Sequence, residues 1–182
     1  MPAREAMGGA AAARVLDCYL LMILSGPAAE CLADDTDRRE RLAIHEAGHA
    51  VQAFRIGRSI ESVVIGPDGG LTQLGAAGVP SSAALAPGHE AGRRSRWPPS
   101  DIRQSVMLAR LLRPQSRKAA RELLHVRQHE ALLRVHADAP LIQAVAGELL
   151  RVGYLNGAQV EAIIYQQIFK RCSLPQVSPG TL

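Results

Sequence analysis

Apolar residues recur along most of this chain at the three-to-four-residue spacing of helices and give way to a strand-like run only once. Ala13–Leu24 predicts a first helix containing the most apolar run, Val15–Leu24; Ser25-Gly26-Pro27 is expected to break it before a short helix through Ala28–Leu32. Asp34, Asp35 and Thr36 offer caps and negative charge for the start of the next helix, expected from Asp37 to about Ile56 and ended by Gly57. Within it Leu42, Ala43, His49, Ala50, Ala53 and Phe54 keep helical spacing, so one side faces a core. Ser59–Ile65 reads as a strand, Gly66-Pro67-Asp68-Gly69-Gly70 as a turn, and Leu71–Leu74 as a short antiparallel return.

Gly75–Pro99, rich in Gly, Ala, Pro and Ser, is expected to be a mobile loop with one short helical piece. Ser100 then caps a helix through Arg113, which Pro114 ends. Helices over Ser116–Ala137 and Pro140–Val152 follow; Gly153 stops the second, and a last helix covers Ala158–Arg171. The expected fold class is mainly α, with a small β-hairpin beside the helix that begins at Asp37. The domain reading is an N-terminal tail and apolar helix over residues 1–35 (the first twelve disordered), one domain over 36–172, and a loose tail over 173–182.

Composition changes little in this picture. At 182 residues the chain suits one domain with a real core, and its 3% aromatic content disfavours strands. Cys18, Cys31 and Cys172 form no C-x-x-C pair, which fits unpaired thiols in a reducing, cytoplasmic setting. Val15–Leu24 is too short to span a bilayer and carries Asp17, so no membrane span is expected. A basic band from Arg93 to Arg127 reads as solvated surface, and nucleic acid is not expected as a partner because stacking aromatics are nearly absent.

The chemistry lies in His45-Glu46-Ala47-Gly48-His49. Residues four apart on a helix share a face, so His45 and His49 can direct two imidazoles at one ion. Glu46, one position on, sits where it can reach a water on the metal, the arrangement of zinc peptidases in which this glutamate is the general base. A catalytic zinc needs a third protein ligand, and none follows at short spacing, since the residue three past His49 is Gln52. Asp101, in the first turn of a helix, is a candidate, with Asp37 and Glu90 as rivals; Asp37 lies two helical turns ahead of His45 on one helix, too far up the axis. His125 and His129 also have i, i+4 spacing but lack a glutamate in the base position, and read as a solvated face.

AIHEAGHA (43–50), the helix end to Gly57 and IESVVIGPDGG (60–70) resemble the peptidase domain of FtsH-type zinc metalloproteases. Ser100-Asp101-Ile102 is similar to the step that carries that family's third ligand, so the resemblance implies Zn²⁺ on His45, His49 and Asp101, with Glu46 catalytic. It further implies a zincin-like helical fold, a peptide or unfolded-protein substrate, and homo-oligomeric rings. The chain departs from the family in lacking the G-x-x-x-x-G-K-[ST] of an ATPase, so the resemblance is to a stand-alone, ATP-independent peptidase. The family's Gly-Arg-Ala-Ala-Glu-like segment is poorly represented at 85–91. A closer version, Gly26-Pro27-Ala28-Ala29-Glu30, stands upstream of the motif, as though the order were permuted. These departures favour an alternative of another class, a non-catalytic interaction module derived from such a peptidase.

Overall fold

A computed structural model describes residues 3–33, 37–75 and 99–173. Helix α1 (Ala3–Ala29) ends in a short 3-10 turn over Glu30–Leu32 and is followed by α2 (Arg38–Arg55). Strands β1 (Ile60–Ile65) and β2 (Gly70–Leu74) come next. Helices α3 (Pro99–Leu112), α4 (Arg117–Ala137) and α5 (Ala139–Val152), strand β3 (Tyr154–Asn156) and helix α6 (Gly157–Ser173) complete the order. The domain is mainly helical with a three-stranded antiparallel sheet, in the order β2-β1-β3.

Helix α2 runs through the middle, packed on α1, α5 and the sheet. Asp37 caps it, its Oδ1 accepting from the Glu40 amide at 2.8 Å, so one otherwise unpaired donor of the first turn is satisfied. Gly57, at φ 70°, turns the chain out of the helix in a conformation that a side chain would oppose. Ala43, Ala47, Ala50 and Val51 are fully or almost fully buried, so neighbouring elements approach α2 closely on more than one side.

Two expectations are corrected. Helix α1 is not broken at Ser25-Gly26-Pro27 but continues to Ala29, and it begins at Ala3 within the stretch expected to be disordered. Pro27 falls in its last turn, where the lost backbone bond and ring clash disturb only the helix end, and packing against α2 holds the helix through it. Second, the hairpin has a third strand. Val63 at the centre of β1 faces Thr72 on one side and Leu155 on the other; Leu155 is buried, and the reciprocal Asn156–Gln159 backbone–side-chain bonds start α6 directly after it. Helix α1 contributes to the core: Leu20, Leu24 and Ala29 belong to the same buried cluster as Ala47 and Val51.

Helix α1 also bears on the membrane expectation. Judged as a whole helix, Gly9–Leu32 is long and apolar enough to cross a bilayer, although over half of its 18-residue apolar window is buried within the domain. The expected caps at 34–36, the loop reading and Glu90 within 76–98, and most of the tail (174–182) lie outside the described residues.

Where α1 crosses α2, contact is backbone to backbone. A Cβ on Gly48 would lie 2.7 Å from both the Ala29 Cβ and the Ser25 carbonyl oxygen. Gly48→Ala should therefore force the helices apart and lower unfolding free energy by roughly 1–3 kcal/mol in urea titrations. Exposed Gly147 in α5 has open space around it, so Gly147→Ala should instead add about 1 kcal/mol through helix propensity.

Candidate metal centre

His45 and His49 lie one turn apart on α2, with Asp101 reaching them from the first turn of α3. The Asp101 Oδ2 lies 2.9 Å from His45 Nε2 and 3.4 Å from His49 Nε2, and the two Nε2 atoms are 3.1 Å apart. Among the described residues this is the group of three that could hold a metal ion. Ligands ~2.0–2.1 Å from a tetrahedral ion are spaced by about 3.3 Å, so the three donor separations match the edges of such a site.

The outer ring nitrogens decide which way the imidazoles present their lone pairs. His49 Nδ1 is 2.9 Å from the Met22 carbonyl oxygen, which can only accept, so the ring donates there and a neutral His49 turns the Nε2 lone pair toward Asp101. His45 Nδ1 donates to Glu30 Oε1 at 2.8 Å, with the same result. Buried Asp101 Oδ2 receives no well-aligned hydrogen bond. With both rings in that tautomer three electron-rich atoms converge, an arrangement that positive charge relieves, whether a proton held between them or a metal cation. Two imidazoles and a carboxylate suit Zn²⁺ or Fe²⁺, and outer partners of this kind fix metal-ligand histidines.

The electrostatics show the same demand for positive charge, which a proton on His45 can also meet. Burial pushes the His45 imidazole down, but the Asp101 and Glu30 carboxylates on either side, with Glu46 nearby, more than offset it and raise its pKa to about 9. Burial likewise pushes the Asp101 carboxyl up, and the two histidines override it, holding it well below the usual carboxylate range. Asp101 also gains from its place at the positive end of α3. Pro99, not Ser100, opens that helix, so the expected Ser100 cap lies inside the first turn.

Glu46 is buried beside the donors and held from the sheet side. The Thr72 hydroxyl lies 2.8 Å from Glu46 Oε2 and 3.1 Å from the Glu46 backbone oxygen, so it can donate to either. A Cβ on Gly70 would come within 2.6 Å of the Glu46 carboxylate, so β2 lies directly against this side chain. Gly26 plays the matching part beneath the two imidazoles: a Cβ there would lie 2.3 Å from His49 Nε2.

Of the residues singled out in the sequence, the structure brings together His45, Glu46, His49 and Asp101. Asp37 caps α2 and takes no part. His125 and His129 are exposed on α4 and belong to no three-donor group among the described residues. Glu30, Thr72, Gly26 and the Met22 carbonyl join the site without being marked by the motif. The sequence signal for two of them is Gly26–Glu30, which resembles a family segment but stands upstream of its usual place.

His49→Ala should abolish metal binding. Glu30→Gln, which removes the carboxylate behind His45, should weaken it about 10–100-fold in competition titrations against a chromophoric chelator. Unchanged affinity in Glu30→Gln would mean that the Glu30–His45 contact does not orient the ligand. Compared with protein-family models, curated proteins and solved structures, the chain matches none of them.

Proposed function

We propose that the protein is a zinc-dependent metalloendopeptidase of the FtsH-like, ATP-independent kind, with a peptide or unfolded protein as substrate. One observation carries this reading: His45 Nε2, His49 Nε2 and Asp101 Oδ2 converge, with a buried carboxylate, Glu46, on the next residue of the same helix. Iron enzymes with a similar donor set do not need a general base at that position; a hydrolase does.

Zinc held by His45, His49 and Asp101 would supply a Lewis acid that polarises the scissile carbonyl and makes water acidic enough to ionise near neutral pH. The remaining chemistry falls to this chain. Glu46 takes a proton from the attacking water and passes it to the leaving nitrogen. Thr72 orients the Glu46 carboxylate through Oε2, and Glu30 and the Met22 carbonyl keep the two imidazoles in the tautomer that binds a metal. Strand β2 pairs with β1 on one side only among the described residues and passes directly over Glu46. An extended peptide added along its outer edge would lie alongside the base, held by main-chain hydrogen bonds.

A second reading, a non-catalytic interaction module, is favoured by how tightly Thr72 and Gly70 enclose Glu46. Elemental analysis of the purified protein, paired with cleavage of an unfolded protein with and without chelator, separates the two. The peptidase reading expects about one zinc per chain and chelator-sensitive cleavage. Glu46→Gln should retain the metal yet lose roughly 10²–10⁴-fold in turnover; full activity in that variant would refute the role given to Glu46.

A further inference from the structure

At the far end of α3 from Asp101, about 16 Å along the helix axis, the surface changes character. Arg110 sits in the last turn of α3, Arg113 just beyond it, and Arg117, Lys118 and Arg121 in the opening turns of α4; all are exposed. No carboxylate occurs between Asp101 and Glu122 in the sequence. Glu122 is 3.9 Å from Lys118, while Asp17 and Glu130 are engaged by Arg127. Helix α1 brings Arg14 to the same corner, where it lines a shallow cleft of about 190 Å³ with Arg113, Leu112, Leu123 and the Asp17–Arg127 ion pair.

This concentration of charge opposes local stability. The first turn of α4 holds no acidic residue, and its cations face the positive end of their own helix, where negative charge is preferred. Like charges on adjacent turns add to the repulsion. An external anionic surface would relieve both.

Apolar groups accompany the cations. Leu111 is 57% exposed, Met107 41% and Val15 39%. The α1 residues from Gly9 to Val15 are exposed, whereas Leu20–Leu24 are buried, so the long apolar stretch of α1 reaches solvent at the end near this corner. Cations beside exposed aliphatic side chains are the pattern of proteins that lie on an anionic bilayer. Helices α3 and α4 contain no Phe, Tyr or Trp on which bases could stack, which disfavours single-stranded nucleic acid.

We propose that the α3–α4 corner, with the N-terminal part of α1, docks peripherally on an anionic lipid surface. The phosphate and carboxylate headgroups meet Arg14, Arg110, Arg113, Arg117 and Arg121, and Leu111, Met107 and Val15 enter the interface. The docking needs neither the metal nor Glu46.

The full-length protein would be floated with vesicles of phosphatidylcholine alone and of phosphatidylcholine mixed with phosphatidylserine. Flotation is expected only with the mixed vesicles, weakening as salt is added. Each cation removed should cost about fivefold in affinity, so Arg113→Gln, Arg117→Gln and Arg121→Gln together should cost on the order of a hundredfold. Leu111→Ser should weaken flotation as well. Lys170→Gln with Arg171→Gln, exposed on α6, should leave it unchanged and so separate this corner from overall charge. Circular dichroism would confirm that the surface variants fold. The proposal is overturned if wild-type protein floats equally with both vesicles or with neither. It also fails if the triple variant matches the α6 variant, or if the corner retains duplex nucleic acid while ignoring the mixed vesicles.

Discussion

The close crossing of α1 over α2 is the constraint on which the site depends. Gly26 and Gly48 leave no side chain between the two backbones, and Ala29 fills the remaining space against Gly48. At this separation the His49 ring lies against α1 and donates to the Met22 carbonyl, while Glu30 reaches His45 just past the end of the same helix. A wider crossing would leave both outer ring nitrogens without these partners. Close-packed interiors transmit such changes, so a volume difference of one methyl group at the crossing is felt at the donors.

Charge then sets the character of the centre. Three carboxylates, from Glu30, Glu46 and Asp101, surround His45, and two of them accept from or face its ring nitrogens. Concentrating negative charge in a largely buried place is costly unless positive charge comes with it. A proton on His45 can answer part of that demand, and a divalent cation answers more. The distinct surroundings of the carboxylates also separate their tasks. Asp101 presents an oxygen to the histidines, Glu30 fixes a ring, and Glu46, held by Thr72 rather than by a histidine, is the one placed for proton transfer in the proposed reaction.

The parts of this arrangement legible in the sequence were those governed by local geometry. The helix period alone places His45 and His49 on one face with Glu46 beside them, and Asp37, Gly57, Ser116 and Gly153 mark helix ends through backbone chemistry that acts over a few residues. Asp101 lies far along the chain, and a family resemblance, not periodicity, singled it out. Propensity favours a helix break at Gly26 and Pro27; in the fold Gly26 provides room for a histidine ring, and Pro27 is tolerated in the last turn of α1. The Gly26–Glu30 segment, which looked out of order by resemblance, supplies two contacts to the centre, Gly26 under His49 and Glu30 on His45. Strand β3 escaped notice because three residues carry almost no periodic signal, and only pairing with β1 makes them a strand.

Asp101 arrives on a helix anchored by its own packing, with Leu108 and Ala109 buried and α1 and α4 as neighbours. The stretch of chain joining β2 to α3 therefore does not have to aim the third donor. Loop-closure entropy grows only logarithmically, so doubling such a connection costs roughly 0.6 kcal/mol. A change of length there would therefore leave the three donors where the packing of α2 and α3 sets them.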